Sequence, residues 1–440
     1  MNRKKLLTET PVPQLIVRLA IPTIISMLVT GIYNTADTFF VGKISTQATA
    51  AVGLVFSVMA IIQALGFFCG HGSGNFLSRM LGSGNKKEAD EMASTGFVIS
   101  IILGVIVAAA GLYFSDQIAY LLGASDTTIK DTTDYMRIIL IGAPFMMGQF
   151  VINNQLRFQG SAMYAMAGLM CGAIVNIGLD PLLILGFRMG VSGAAIATVS
   201  GQIISFFVLL LGTRRGENIR MSVGNIKIGI HYIVEIINGG APSLFRQGLA
   251  AVSTLLLNHA AGAIGGDAAI AGMSIVTRVM MLTVSALIGF GQGYQPVCSF
   301  NYGAGLYKRV REGYFFCVKY GTAFLTAGAA VCFAFAPHII CWFRDDPDVI
   351  AVGTDALRFQ CLSLPLMAGI VMSNMMLQSA GKGFKASVTS SARNGLFFIP
   401  LIIILPEFFG LRGVETAQPI ADVLAFMLSI PLAWTELKKM

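Results

Sequence analysis

Twelve apolar runs, separated by short polar segments, constrain the fold of this 440-residue chain more than any other feature. A helix needs about 20 mainly apolar residues to cross the hydrocarbon core of a bilayer, and each run is long enough. Charged residues make up only 12% of the chain, and no long polar segment remains for a soluble domain. The sequence therefore predicts an all-α integral membrane protein. The predicted helices occupy residues 14–40, 47–80, 92–114, 133–157, 162–186, 191–212, 232–264, 268–300, 314–341, 352–378, 385–406 and 412–435.

The net charge of +8 is distributed in a way that indicates membrane topology rather than nucleic-acid binding. Lysine and arginine concentrate in every second polar segment, including the N-terminal "NRKK" and the central "TRRGENIR". The segments between them, such as "FRDDPDV", are richer in acids. By the positive-inside rule we expect both termini and residues 213–230 to face the cytoplasm.

The chain also repeats itself. The stretch "GHGSGNFLSRMLGSGNKKEADE" from Gly70 aligns without a gap on "GQGYQPVCSFNYGAGLYKRVRE" from Gly291. A polar segment near the middle separates the two copies, so we predict an N-terminal six-helix bundle at 1–214, a cytoplasmic linker at 215–230 and a C-terminal six-helix bundle at 231–440. Because each half contains an even number of helices, the two bundles would be parallel repeats about an axis along the membrane normal. A cavity between such bundles is typical of alternating access.

Motifs for other chemistries are missing from the sequence. It contains no GxxxxGK[ST] loop for ATP, no HExxH and no GxSxG. The stretch "GHGSGN" lies in an apolar helical run, where small residues favour close helix packing over phosphate binding. The four histidines are far apart, and the seven cysteines have no metal-ligand spacing. We therefore expect neither an ATP-driven pump nor an enzyme, although an integral membrane enzyme is an alternative of another class.

Two aspartates inside predicted helices are the most informative charges. Asp37 lies toward the outer end of the first helix, and Asp180 lies in the fifth, one turn after Asn176 on the same face. A charge at the bilayer centre costs at least ~2.5–3.5 kcal/mol, so each should face the protein interior. Pro181 cannot donate a backbone hydrogen bond, which predicts a kink or hinge. Both helices run outward, so one pocket could contain both acids.

Two explanations of a shared pocket remain open at this point. Two adjacent carboxylates cannot both ionise cheaply, so one of them would take up a proton. Alternatively, Na⁺ could bind to the aspartates and neutral oxygens. A purely structural role, in which the aspartates only hold helices together by hydrogen bonds, is the competing interpretation. The candidate neutral ligands are Asn34, Asn153, Asn154, Asn176 and Thr198.

The second half of the chain lacks counterparts of these acids. Asn258 stands opposite Asp37 in the repeat, and the segment that matches Asp180 reads "LFFIPLIIIL". We therefore expect any ion coupling to belong to the N-terminal half. Glu415 is either an interfacial charge or a substrate contact. Arg246 and Arg278 lie nearer to helix interiors and require partners or a water-filled cavity.

Methionine and phenylalanine are abundant, with 22 and 30 residues. Their soft, polarizable side chains can repack around different apolar ligands, although helix packing or lipid contact explains most single positions. The candidate substrate-cavity residues are Tyr33, Met146, Met147, Gln149, Asn374, Met375 and Glu415.

The sequence resembles the multidrug and toxic compound extrusion (MATE) family over its whole length. The resemblance rests on "AIPTIISMLVTGIYNTADTFFVG", "NNQLRFQG", "NIGLDPLLI", "GAAIAT" and "GVETAQPIADVLAF", in this order. It implies a V-shaped pair of six-helix bundles in the bacterial cytoplasmic membrane that exports organic cations and drugs by H⁺ or Na⁺ antiport. The chain looks closest to the MepA-type and DinF-like bacterial exporters.

The resemblance also implies a site in the N-terminal half. In the DinF-like branch it matches Asp37, Asn176, Asp180 and Thr198, with Asn153 or Asn154 as a further member. The NorM-like branch also uses acids in helices 7 and 10, where this chain has asparagines in "LLLNHAAG" and "VMSNMMLQSAG". The chain thus departs from the NorM-like pattern.

A secondary active multidrug exporter is the leading prediction. We expect it to act as a monomer in the lipid bilayer, on small-molecule drugs and organic cations, with no nucleic-acid partner. No cofactor is expected beyond the coupling ion, and no metal beyond Na⁺. The alternative is a lipid-linked oligosaccharide flippase of the same superfamily, whose groove would need cationic residues for a pyrophosphate head group. Few arginines or lysines are candidates for such a position within the membrane.

Overall fold

The computed structural model describes residues 3–216, 218–219 and 221–440, and for residues 3 and 32–38 the helical backbone alone. This part of the chain is almost entirely helical and has no strand. The α-helices are α1 (Arg3–Glu9), α2 (Val12–Gly42), α3 (Thr46–Ser83), α4 (Lys86–Tyr113), α5 (Ser115–Leu121), α6 (Ile129–Phe158), α7 (Ala162–Pro181), α8 (Gly190–Thr213), α9 (Ile230–Gly303), α10 (Tyr307–Ala334), α11 (Ala336–Phe343), α12 (Pro347–Ser363), α13 (Leu366–Ser379), α14 (Gly383–Ser391), α15 (Phe398–Phe409) and α16 (Leu411–Leu437). Two segments are π-helical, Leu182–Gly186 and Ala392–Phe397, and Val223–Asn225 forms a 3₁₀ turn.

In the part of the chain that the structure describes, these elements form twelve membrane spans, as the sequence predicted. The long α9 is divided at Gly266, whose φ of 61° and ψ of −155° are not helical and favour glycine. Residues 230–265 form the first arm of α9, and residues 267–303 form the second arm. Helices α12 and α13 form one span bent by 55°. A π-helical turn joins α14 to α15 within the eleventh span. The chain is thus a multi-pass membrane protein.

Several helices begin earlier than the apolar pattern indicates. The third predicted helix starts at residue 92, whereas α4 starts at Lys86, because the Asn85 side chain accepts a hydrogen bond from the Glu88 amide. Asp346 likewise caps α12 at Pro347, five residues before the predicted start. Hydropathy marks the part of a helix that lies in lipid. Capping side chains extend the helix into the polar segment beyond it.

The first helix of each half packs partly against the other half. Leu15 and Ile16 of α2 belong to a buried cluster that otherwise consists mainly of residues from the C-terminal half. Tyr232 and Ile236, at the start of α9, pack with Phe76 of α3 in the N-terminal half. The two halves therefore exchange contacts in both directions. The predicted division at residues 214 and 231 stays a prediction.

Between the halves, residues 222–229 lie along α4. The Ser222 amide donates to Ser94 Oγ at 3.1 Å, and the Lys227 amide donates to Thr95 Oγ1 at 3.0 Å. The Lys227 ammonium lies 2.7 Å from Glu91 Oε1. The second part of the predicted linker is therefore held to the N-terminal half by hydrogen bonds and an ion pair.

The sequence repeat reappears as a symmetric backbone contact between the halves. A Cβ added to Gly82 in α3 would lie 2.0 Å from the carbonyl oxygen of Phe300. A Cβ added to Gly303 would lie 2.0 Å from the carbonyl oxygen of Arg79. The alignment that pairs Gly70 with Gly291 also pairs Gly82 with Gly303 and Arg79 with Phe300. The same two surfaces therefore face each other across a pseudo-twofold axis, and only glycine permits this approach.

We predict that Gly303→Val destabilises the protein, because the added side chain meets the backbone of Arg79 and not a flexible side chain. Overpacking of this kind costs about 1–3 kcal/mol, so the unfolding temperature in detergent should fall. Gly248→Val is the matched control, because a Cβ at Gly248 meets nothing within 4 Å. Equal unfolding temperatures for the two variants would contradict the close contact.

Candidate functional site

A cavity of about 330 Å³ lies between the N-terminal half and both arms of α9. Its wall comes from α2, α3, α6, α7, α8 and α9 and is mainly apolar, with side-chain amides and hydroxyls at intervals. Arg246 is the one charged side chain in the described part of this wall. The methionines of the wall are Met27, Met59, Met146 and Met281. Such a lining fits an apolar ligand that a few polar groups orient.

Asn176 and Thr198 form the polar edge of this cavity on α7 and α8. A Cβ added to Gly172 would lie 2.6 Å from the carbonyl oxygen of Gly201, so the two helices touch through their backbones. One turn further along α7, Asn176 Nδ2 donates a hydrogen bond to Thr198 Oγ1 at 3.3 Å. The Asn176 and Thr198 oxygens predicted as ion ligands are therefore neighbours. The glycine contact is what brings them together.

Asp180 lies one helical turn beyond Asn176 and is fully buried. The α-helix ends at Pro181, and the π-helical turn Leu182–Gly186 follows directly. In this turn the Phe187 amide donates to the Leu182 carbonyl at 2.9 Å. Proline lacks the amide that would continue the α pattern, and π turns are frequent at functional sites. The helix is thus irregular at the place where the sequence predicts a hinge.

The other predicted acid lies outside the described side chains, together with two of its neighbours. Asp37, Asn34 and Tyr33 belong to the stretch of α2 for which the helical backbone alone is described. That helix packs against α7, which carries Asp180. The pairing of Asp37 with Asp180 therefore stays a prediction.

Asn153 and Asn154, adjacent on α6, point to different surroundings. Asn153 lines the cavity and donates to the Ala165 carbonyl at 2.9 Å. Asn154 is fully buried, and its Oδ1 accepts a hydrogen bond from Arg157. Of these two candidates, only Asn153 lies on the described cavity wall.

The predicted substrate-cavity residues also form two groups, those that line the cavity and those that do not. Met146 and Gln149 line the cavity, whereas Met147 is fully buried in the core of the N-terminal half. Asn374 donates to the Ala386 carbonyl at 2.7 Å, which repeats the bond of Asn153 in the other half. Met375 is buried against Gly291, and Glu415 is buried in the second turn of α16. None of these last three residues lines the described wall of the cavity, although Asn374 accepts a 3.5 Å hydrogen bond from Arg246, which does.

A buried polar network next to the cavity was missed by the sequence analysis. Arg157 of α6 donates to Gln292 and to Asn154, and its Nη2 lies 3.2 Å from His71 Nε2. Ser243 Oγ lies 3.1 Å from the other ring nitrogen of His71. The network joins the two halves through α3, α6 and both arms of α9. The predicted helix ends at residue 157. The sequence pattern therefore places Arg157 at the edge of a polar segment and not in a helix interior.

The C-terminal half also contains a buried acid that the sequence analysis did not single out. Asp422 of α16 accepts hydrogen bonds from Arg393 Nε at 2.7 Å, Gln418 at 2.8 Å and Ser363 at 3.1 Å. Buried carboxylates are therefore not confined to the N-terminal half. Asp422 therefore forms an ion pair with Arg393 inside the C-terminal half.

Removal of the Thr198 hydroxyl should destabilise the site. In Thr198→Val the Asn176 amide loses its acceptor within the protein, and such a loss costs about 1–3 kcal/mol. We expect a lower unfolding temperature for Thr198→Val and a nearly unchanged one for Thr198→Ser, which keeps the hydroxyl. Thr326→Val is the control, because Thr326 is exposed and bonds only to the carbonyl of Thr322 within its own helix. Equal unfolding temperatures for Thr198→Val and Thr198→Ser would contradict the hydrogen bond.

Comparison with known proteins places these features in a family. The MatE family model matches residues 22–182 and 242–404, one segment in each half of the chain. The multidrug export protein MepA of Staphylococcus haemolyticus is 28% identical over 433 residues, covering 97% of this chain and 94% of that protein. MepA of Staphylococcus aureus is 29% identical over 430 residues, with the same coverage.

Solved structures agree with the family match. The crystal structure of a MATE protein in complex with MaL6 has a TM-score of 0.93 at 27% identity, and the match covers 100% of this chain and 100% of that chain. An outward-facing multidrug resistance MATE transporter of the MOP superfamily also has a TM-score of 0.93, at 26% identity, with 100% of this chain and 98% of that chain covered. The resemblance in the sequence motifs is confirmed, and the chain belongs to the MatE family of transporters.

Proposed function

We propose that this protein is a secondary active multidrug exporter that works by alternating access. The observation that carries the proposal is the cavity of about 330 Å³, whose mainly apolar wall includes Asn176 and Thr198 from the predicted ion site. Substrate and coupling ion would therefore bind in contact with the same helices, α7 and α8. The MepA relatives, which are multidrug export proteins, support this assignment.

The position of the contact between the halves indicates to which side of the membrane the cavity opens. The halves meet through Gly82 and Gly303, and Arg79 of α3 forms a 2.8 Å ion pair with Glu235 at the start of α9. The polar segments that follow Gly82 and Gly303 contain Lys86, Lys87 and Lys308. By the positive-inside rule we assign this closed end to the cytoplasm, with both chain termini. The cavity would then belong to an outward-facing state in the bacterial cytoplasmic membrane.

Coupling would occur at Asp180, with Asp37, Asn176 and Thr198 as further members of the site. A proton or Na⁺ that neutralises this site would remove the cost of a buried negative charge. It would also change the helix at Pro181, and with it the width of the cavity beside α7. The ion can drive export only if it binds the outward-facing and inward-facing states with different affinity. Substrate would leave from the ion-bound outward state.

One observation favours the alternative function. A lipid flippase needs cationic groups for a phosphate-containing head group, and Arg246 lines the cavity. The rest of the described wall carries no charge, however, and a pyrophosphate would require several cations. We therefore retain the exporter as the proposal. In this proposal the exporter acts as a monomer on small molecules. Export by alternating access makes and breaks no covalent bond, so we assign no catalytic residue.

We predict that Asp180→Asn and Asp37→Asn each abolish most of the export. Cells that express either variant should accumulate a fluorescent drug to nearly the level of cells without the protein. Asp126→Asn is the matched control, because Asp126 is exposed in a polar segment. Protein amounts in the membrane should be equal in all strains. If both variants export as well as the wild type, the coupling mechanism is wrong.

The coupling ion can be identified in proteoliposomes under an imposed gradient of either pH or Na⁺. We expect one of the two gradients to drive drug movement by the wild type. The Asp180→Asn protein should respond to neither, because its amide can neither lose a proton nor supply a negative charge to Na⁺. Drug movement that proceeds at the same rate without either gradient would exclude secondary active transport.

A further inference from the structure

We propose that a groove on the lipid-facing side of the C-terminal half binds an anionic phospholipid, with one acyl chain in the groove and the phosphate at Arg412. The groove has a volume of about 490 Å³ and lies between α12, α15 and α16. We call it the lateral groove. None of the described residues that line it also lines the cavity between the halves, so the proposal does not depend on the export function.

The wall of the lateral groove is mainly apolar and open to the membrane. Its apolar side chains include Phe359, Leu362, Leu405, Phe409, Ile420 and Val423. Leu362 is 70% exposed and Phe409 is 66% exposed, and exposed apolar side chains of membrane-spanning helices face lipid. An acyl chain in the groove contacts three helices at once, whereas a lipid on a flat helix face contacts only one. Because dispersion contacts add up, the groove favours a bound chain over a freely exchanging one.

The length of the lateral groove matches one leaflet of the bilayer. Arg412 lies in the first turn of α16, and Val423 is the lining residue farthest along that helix. At a rise of about 1.5 Å per residue, this part of α16 is about 16 Å long. The hydrocarbon core of a bilayer is about 30 Å thick, so one leaflet spans about 15 Å. An acyl chain that starts at the end of α16 therefore fills the groove down to the middle of the bilayer.

Arg412 places a positive charge at the mouth of the lateral groove. Its side chain is exposed, and its guanidinium forms no ion pair with any acid that the structure describes. A guanidinium binds phosphate through paired, charge-assisted hydrogen bonds. The topology proposed above puts this end of α16 at the outer surface, so the lipid would come from the outer leaflet.

The other polar side chains of the wall are engaged within the protein. Thr416 Oγ1 donates a hydrogen bond to the Arg412 carbonyl at 2.7 Å. At the deep end of the groove, Ser363 Oγ donates to Asp422 Oδ2 at 3.1 Å. Neither hydroxyl needs a partner from a ligand, so the groove below Arg412 offers mainly apolar contacts. This chemistry fits a hydrocarbon chain better than a drug molecule with polar groups of its own.

The equivalent positions of the N-terminal half pack against each other. In the repeat, "LIGAP" aligns with "CLSLP", which pairs Gly142 with Ser363. Likewise "GVSGAAIATV" aligns with "GLRGVETAQP", which pairs Val199 with Pro419. A Cβ added to Gly142 would lie 2.8 Å from Val199 Cγ2, whereas their counterparts Ser363 and Pro419 line the groove. The lateral groove is therefore a feature of the C-terminal half and is not imposed by the repeated fold.

Native mass spectrometry of the purified full-length protein tests the proposal with two lipids that carry the same acyl chains, anionic phosphatidylglycerol and zwitterionic phosphatidylcholine. We expect the wild type to bind one phosphatidylglycerol molecule more tightly than any further molecule of either lipid. Arg412→Gln should weaken this first binding step roughly tenfold, because the charge-assisted bonds to the phosphate are lost. Arg344→Gln is the matched control, because Arg344 is also an exposed arginine of the C-terminal half but does not line the groove.

A variant that fills the groove tests the acyl-chain site separately. Ile420→Trp should abolish the preferred binding, whereas Ile403→Trp, at an exposed position of α15 outside the groove, should not change it. Unfolding temperatures check that both variants fold, and Val423→Trp replaces Ile420→Trp if that variant does not.

Three results would overturn the lipid site. The first is equal affinity of the wild type for the two lipids. The second is wild-type affinity for phosphatidylglycerol in either Arg412→Gln or a folded groove-filling variant. The third is binding of rhodamine 6G in place of the lipid, lost in the groove-filling variant, which would make the groove a drug site.

Discussion

The close backbone contact between the two halves is the constraint on which the rest of this structure depends. Gly82 lies against the carbonyl of Phe300, and Gly303 lies against that of Arg79. No other residue type permits this separation, because any Cβ would overlap the opposite backbone. The contact closes one end of the space between the repeats and leaves the cavity above it. Alternating access requires this contact to part.

A polar network lies about three turns along α3 from the glycine contact, on the side of the cavity, and also joins the two halves. His71 and Arg157 of the N-terminal half meet Ser243 and Gln292 of the C-terminal half. Gln378 continues the network through bonds to Ser243 and to the Gly239 carbonyl. Buried polar groups are costly when they are unpaired, so their partners fix one relative position of the halves. In another state these groups would need water or ligand as replacement partners.

The cavity has different chemistry at its two polar edges. Asn176 and Thr198, next to the buried Asp180, form an edge that supplies neutral oxygen atoms. Arg246 forms the other edge and supplies a positive charge. Between them the wall is apolar and contains flexible methionine side chains. Such a cavity can bind molecules of varied shape while it distinguishes them by charge.

The sequence by itself determined the membrane class, the twelve helices and their order, and the repeat, because hydropathy and internal similarity are properties of the linear chain. It also placed Asn176, Asp180 and Pro181 on one helix, since helical spacing needs no tertiary information. Only the tertiary structure decided that Asn176 meets Thr198, that Asn153 and not Asn154 lines the cavity, and that Arg157 joins the halves. These facts depend on how helices from distant parts of the chain rotate and cross. That rotation is set by glycine contacts such as Gly172 with Gly201, which look in the sequence like any other small residues in an apolar run.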